Sequence, residues 1–327
     1  MRLDKNERID DLPNKFIETF KQRLCSYHFT MYPDLELLYS KLALFLGCQR
    51  ENLLLIAGAD GGIKACYEAY SRPSLTGVIL DPTFAMVEVY GASFDCPILR
   101  INDDASLLKQ LRDIDYQSVS FVLIASPNSP TGKTIAFEEL KVLSDLALKY
   151  EKPLFVDEAY FGFHSVSVID ICLDNPWVIC CRSFSKAWGL AGLRVGCLIA
   201  SSARIAELKS RAPMYEINSL GALALEILLD NPSIPTRYAE EVNAGKQLLL
   251  NFFDERSFQT IDGNGNFIHV KFETAASAAK VRASLLQSNY LTSAQNHYLG
   301  ESWLRFSVGS AAAMADLTSV LSHILES

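Results

Sequence analysis

The sequence predicts an α/β protein with a mostly parallel sheet covered by helices, followed by a smaller α+β unit. Three observations carry this. From about residue 30 to residue 225, short unbroken apolar runs alternate with longer segments, the pattern of strands buried on both faces. Polar, Gly-rich and Pro-rich residues collect directly after those runs. After residue 235 the strand-like runs become sparse and long helical segments dominate.

The elements follow in order. The first 11 residues are charged and polar and read as an arm. Residues 12–27 carry Phe16, Ile17, Phe20 and Leu24 at helical spacing, and Met31-Tyr32-Pro33-Asp34 interrupts the pattern. Helical period resumes over 35–47 with Leu37, Leu38, Leu42 and Phe45, and stops at Gly47. A strand at 53–56 runs into Ala57-Gly58-Ala59-Asp60-Gly61-Gly62 and a helix over 62–70. A strand at 78–80 ends at Asp81-Pro82-Thr83, and one at 119–125 ends at Ser126-Pro127-Asn128. A helix over 137–149 leads to a strand at 154–156 that ends at Asp157-Glu158. The strand at 177–180 precedes Ser183-Phe184-Ser185-Lys186, and another lies at 195–200. Asn231-Pro232-Ser233-Ile234-Pro235 reads as a junction. Beyond it come a helix at 236–252, a strand at 267–272, a helix at 276–287, a strand at 303–308 and a helix at 311–325.

Composition narrows the function. The chain has 327 residues, 49% hydrophobic and 21% charged, which is globular rather than disordered. Against 38 Asp+Glu stand 30 Lys+Arg, and no basic run is interleaved with aromatics, so no nucleic-acid surface is expected. No run of apolar residues is long enough for a membrane span. The eight cysteines form no C-x-x-C pair and the first residues carry no apolar signal segment, so reduced thiols and a cytoplasmic location are expected.

The chemistry gathers where strands end. Asp60, Ser126 to Asn128, Asp157 and Ser183 to Lys186 all fall there, and one sheet edge would bring them together. Singly, each is ordinary: an aspartate at a strand end is often a turn or N-cap residue, and a lysine in a Ser-rich loop is usually solvated. As a set they suggest a site for an anionic aromatic cofactor. Ala59-Asp60-Gly61-Gly62 offers free backbone N–H groups at a helix start, a cradle for phosphate. Neither G-x-x-x-x-G-K-[ST] nor G-x-G-x-x-G is present.

The ordered series Leu3-Asp4-Lys5-Asn6-Glu7, Ser126-Pro127-Asn128-Ser129-Pro130-Thr131-Gly132, Asp157-Glu158-Ala159-Tyr160, Ser183-Phe184-Ser185-Lys186, Gly192-Leu193-Arg194 and Leu304-Arg305 spans nearly the whole chain. It resembles the fold-type I pyridoxal-phosphate (PLP) aminotransferases, within them the histidinol-phosphate aminotransferase branch. The resemblance implies a three-layer PLP-binding large domain over 30–235, a small domain over 236–327, and an N-terminal arm and helix over 1–29 that contributes to the small domain. It implies that Lys186 links covalently to the cofactor and shuttles the substrate's α-proton. Asp157 would pair with the pyridine nitrogen, Tyr160 would direct its hydroxyl to the ring oxygen, and Phe84 would stack on the ring. Ala59, Asp60, Ser183, Ser185 and Arg194 would hold the phosphate, with Tyr32 reaching it from the partner of a homodimer. Asn6, on the closing arm, and Arg305 would bind a small anionic amino substrate, with a 2-oxo acid such as 2-oxoglutarate as acceptor.

Three departures from the family pattern bear on the substrate end, one of them the segment Ser310-Ala311-Ala312-Ala313 after Arg305, which lacks the usual acidic position. Ser129 stands where the family usually has an asparagine that donates to the ring oxygen; Asn128 is its neighbour. The stretch Ser288-Asn289-Tyr290-Leu291-Thr292 lacks an arginine usual in the histidinol-phosphate branch. Arg211, Tyr215 and Asn218 are open between shaping the substrate pocket and packing helices. The expected reaction is transamination in two half-reactions. The alternatives are decarboxylation of an O-phospho-amino acid and, further off, PLP binding without turnover.

Overall fold

The computed structural model describes residues 1–293 and 298–326. Its strands are β1 (Arg2–Leu3), β2 (Leu53–Ile56), β3 (Thr76–Asp81), β4 (Ile98–Asn102), β5 (Val119–Ala125), β6 (Leu154–Asp157), β7 (Val178–Ser183), β8 (Gly196–Ile199), β9 (Gln259–Asp262), β10 (Phe267–Lys271), β11 (Leu291–Thr292) and β12 (Trp303–Ser307). Seven of them form one sheet in the order β2-β8-β7-β6-β5-β3-β4. β3 to β7 pair in parallel, while β8 runs antiparallel to both β7 and β2.

Both faces of this sheet are covered, which explains the unbroken apolar strands. Leu53, Leu55, Val122, Ile124, Leu154 and Val156 bury on one face with the helices Phe137–Tyr150 and Ser219–Leu229. The alternate residues Leu54, Ile56, Phe121, Leu123 and Phe155 bury on the other with Gly58–Tyr70 and Ser202–Lys209. The period of two thus sends successive side chains into separate cores, giving three layers.

The smaller unit has its own core. Ile268, Val270, Leu304 and Phe306 of the antiparallel strands β10 and β12 pack on the long helices Ser233–Asp254 and Ala311–Glu326. The expected junction at 231–235 is taken up by the start of the first of these helices. The N-terminal stretch serves both units. β1 pairs with β11 beside the small sheet, whereas Phe16 of the helix Asn14–Arg23 lies in a core of the large one. Among the described residues no helix is long and apolar enough to cross a membrane.

Candidate active site

In the sheet order, β7, β6, β5 and β3 lie side by side, so their carboxyl ends form one continuous edge. Ala125 is registered against Asp157, and Asp157 against Cys181, two residues before Ser183. A cleft of about 450 Å³ opens at this edge. It is lined by Ala59, Asp60, Phe84, Ser129, Asp157, Tyr160, Ser183, Ser185, Lys186 and Arg194 from the large unit, and by Asn6 and Arg305 from the arm and the small unit. Tyr32 is the one expected site residue that stays outside. It is 76% exposed and stacks on Tyr215, with ring centroids 4.2 Å apart.

One end of the cleft is built to hold an anion. The helix over Gly58–Tyr70 begins four residues earlier than its period suggests, so Ala59 and Asp60 sit in its first turn, and no side chain caps it. Its first N–H groups and its dipole are therefore free for a ligand. Arg194 adopts a left-handed conformation after a short turn. Its guanidinium donates to the Ala57 carbonyl at 3.2 Å and approaches the Ser185 hydroxyl at 3.5 Å. The Ser185 N–H donates to Ser183 Oγ at 3.2 Å.

Gly58 is what admits that guanidinium. Its φ is +73°, and a Cβ there would lie 2.7 Å from Arg194 Nη2. Gly58→Ala is expected to combine backbone strain with displacement of Arg194, weakening affinity for PLP about 10- to 100-fold. A PLP titration checks this; unchanged affinity would mean that Arg194 contributes little to the cradle.

At the centre, Asp157 is 6% exposed and accepts a hydrogen bond from the Ala159 N–H at 2.9 Å. Burial pushes its carboxyl up to about 7. Among the described residues no lysine or arginine forms an ion pair with it. Lys186 pulls the value down and Glu158 and Asp60 push it up, but burial dominates, and a carboxyl desolvated in this way fits a ligand carrying a protonated ring nitrogen. Tyr160 is buried, and its hydroxyl accepts from Asn6 Nδ2 at 2.8 Å. Lys186 Nζ lies 5.6 Å from the Tyr160 ring centroid and donates to the Lys5 carbonyl at 2.8 Å.

The arm closes the cleft and is itself well fixed. Asn6, with φ +52°, is buried; its N–H donates to Ser307 Oγ at 2.9 Å, and that hydroxyl donates back to Asn6 Oδ1 at 2.8 Å. Asn266 Nδ2 donates to the carbonyls of Asn6 and Glu7, each at 3.2 Å. Arg305 Nη2 donates to the Asp4 carbonyl at 2.6 Å, while its buried Nε has no hydrogen-bond partner among the described residues.

Other polar residues sort differently. Asn128 does not line the cleft. Its amide donates to the Pro82 carbonyl and to Asp103, each at 2.8 Å, so it fixes the loop and leaves Ser129 at the cleft wall. Asn218 caps the helix Ser219–Leu229, accepting from the Gly221 N–H at 2.7 Å. Neither Arg211 nor Tyr215 lines the cleft.

Comparison with known proteins decides what this cleft belongs to. Residues 1–324 match the family described as aminotransferase class I and II. The chain is a class I and II aminotransferase. Histidinol-phosphate aminotransferase 1 of Carboxydothermus hydrogenoformans is 30% identical to it over 99% of this chain and 93% of the relative. The solved histidinol-phosphate aminotransferase of Sinorhizobium meliloti, in complex with PLP, superposes with a TM-score of 0.86 at 19% identity. That match covers 99% of this aminotransferase and 90% of the solved chain. The L-threonine-O-3-phosphate decarboxylase of Porphyromonas gingivalis superposes at 0.84, with 18% identity and full coverage of both chains, so the fold is shared beyond transaminases. The aminotransferase uses PLP, and the residues present fit it: a helix start beside a guanidinium at one end of the cleft and a desolvated carboxyl at its centre.

Proposed function

We propose that this enzyme moves an amino group between a small anionic amino compound of the histidinol-phosphate kind and a 2-oxo acid, with glutamate and 2-oxoglutarate as the common pair. The observation that carries the substrate class is Arg305. It brings a guanidinium into the cleft from the small unit, apart from the Arg194 cradle, and its buried Nε lacks a partner among the described residues. A planar cation with a spare donor selects a carboxylate or phosphate.

The same reading gives each side chain its task. Bound PLP supplies an electron sink for charge developing at the substrate's α-carbon. The helix start at Ala59 and Asp60, with Ser183, Ser185 and Arg194, holds the phosphate. Asp157 would keep a proton on the ring nitrogen, Phe84 would offer its ring to the cofactor's, and Tyr160 and Ser129 would offer hydroxyls to the ring oxygen. Lys186 Nζ is the amine that would link to the cofactor and would hold and return the substrate's α-proton. Asn6 and the arm exclude water above it.

The quaternary proposal is a homodimer in which Tyr32 completes the partner's phosphate site. Tyr27, Phe29, Met31, Tyr32 and Leu37 are all exposed apolar residues, and such a patch calls for cover. Sedimentation that found a fully active monomer would remove this part.

The test is the enzyme's visible absorbance with glutamate. Glutamate should convert the wild-type spectrum and release 2-oxoglutarate. Arg305→Gln should retain PLP while raising the KM for glutamate about 10- to 100-fold. Release of carbon dioxide from an O-phospho-amino acid, with no amine transfer, would favour the decarboxylase reading instead.

A further inference from the structure

We infer that His269 is a positioning residue that ties β10, the strand paired with the one carrying Arg305, to the loop carrying Ser129, and so sets the spacing of the substrate cleft. The inference rests on Arg305 and Ser129 facing the substrate, as proposed above.

Alternation along β10 divides its residues. Ile268 and Val270 bury in the small unit's core. Phe267 and His269 point the other way, and Phe267 meets the Tyr160 ring edge-on at 5.5 Å. His269 is fully buried and is registered directly opposite Arg305 of β12. Its Nε2 lies 2.8 Å from the Pro130 carbonyl, one residue beyond Ser129. A carbonyl only accepts, so Nε2 carries the proton and donates. The rings of Phe267 and Tyr298 flank the imidazole at 5.5 and 5.7 Å.

A second fixture lies two residues further along the same loop. Gly132 touches Gly263 backbone to backbone: a Cβ on Gly132 would fall 2.5 Å from Gly263 Cα. The Asn264 N–H donates to the Gly132 carbonyl at 2.8 Å. The loop is thus pinned to the small unit at Pro130 by a side chain and at Gly132 by backbone. An aliphatic residue at position 269 would fill space without a desolvation cost. An imidazole there is justified by the bond it makes. Burial lowers its pKa to about 4, so it stays neutral near pH 7 and the donor is always present.

The test pairs His269→Leu, which removes the donor, with His269→Gln, whose amide can still donate. Two readouts are taken: amide hydrogen exchange over residues 128–134 in the cofactor-free protein, and glutamate kinetics of the PLP enzyme. For His269→Leu we expect exchange in that segment to speed about tenfold, with β5 and β6 unchanged, and the KM to rise about 5- to 30-fold with kcat within about twofold. His269→Gln should restore both to within about threefold. Unchanged exchange in a folded His269→Leu protein overturns the inference. So does a loss that spreads through the sheet and is not rescued by glutamine, since that would make His269 a packing residue only. If glutamate reacts with neither wild type nor variant, the proposed donor is wrong, and the exchange comparison still decides the tie.

Discussion

Lys186→Ala should lower turnover with glutamate by at least about 10⁴-fold, the upper range for losing a general acid–base residue, and should abolish the visible absorbance of the bound cofactor. Both the covalent link and the proton shuttle are assigned to one amine, so no partial activity is expected from the remaining cleft. Lys5 provides the internal control, because it too lines the cleft. Its side chain is exposed, and it offers Lys186 a backbone carbonyl that survives substitution. Lys5→Ala should therefore keep the absorbance and most of the activity. Survival of the band in Lys186→Ala, with its loss in Lys5→Ala, would reverse the assignment.

Asp157→Asn should separate stability from function. In the cofactor-free protein the carboxyl sits near 7, against an ordinary value of 3.8. The folded state then holds a proton that the unfolded state has released. The contribution of this group to stability therefore falls as pH rises from about 4 to about 7 and is level above that, a change of at most roughly 4 kcal/mol. An amide avoids the cost and can still accept from the Ala159 N–H. Cofactor-free Asp157→Asn should melt several degrees above the cofactor-free parent at pH 8, and the gap should narrow below pH 7 and close near pH 4. With PLP bound, the same variant should lose at least about 100-fold in turnover, because a neutral amide cannot hold a proton on the ring nitrogen. A variant that melts below the parent at pH 8 would show that the attraction of Lys186 outweighs the cost of burying the carboxylate.

The large sheet is legible in the sequence because its central strands are apolar on both faces and polar only at their ends. That contrast alone marks Asp157 and Ser183. The elements that the pattern misses lack it. The helix Ser219–Leu229 is buried almost all round, so it shows no amphipathic stripe. β4 is an edge strand in which only Ile101 is buried, so it is neither continuous nor cleanly alternating. The Gly58–Tyr70 helix starts earlier than expected because its first turn is glycine- and alanine-rich, with little periodic signal. In the site, the strand-end residues follow from local pattern. The contacts of Asn6 with Tyr160 and of His269 with Pro130 join distant parts of the chain, and only the packing of the two units brings them together. A single histidine in the otherwise mostly apolar run at 267–272 is the available signal for the second. The role proposed for Tyr32 lies beyond a single chain's geometry altogether.

The arm's two backbone carbonyls, at Asp4 and Lys5, accept from Arg305 and Lys186. In the proposed reading the Asp4 carbonyl is a placeholder: the Arg305 guanidinium already has an oxygen before substrate arrives, whereas the Lys5 carbonyl serves Lys186 only until the cofactor binds. At Arg305, substrate entry would then exchange the amide oxygen at Nη2 for an anion and add the bond that Nε lacks. Discrimination rests on the difference in strength between those two kinds of acceptor. At Nη2 a neutral compound of the right shape gains almost nothing over the arm it would have to displace, so the arm sets a threshold that favours fully charged substrates.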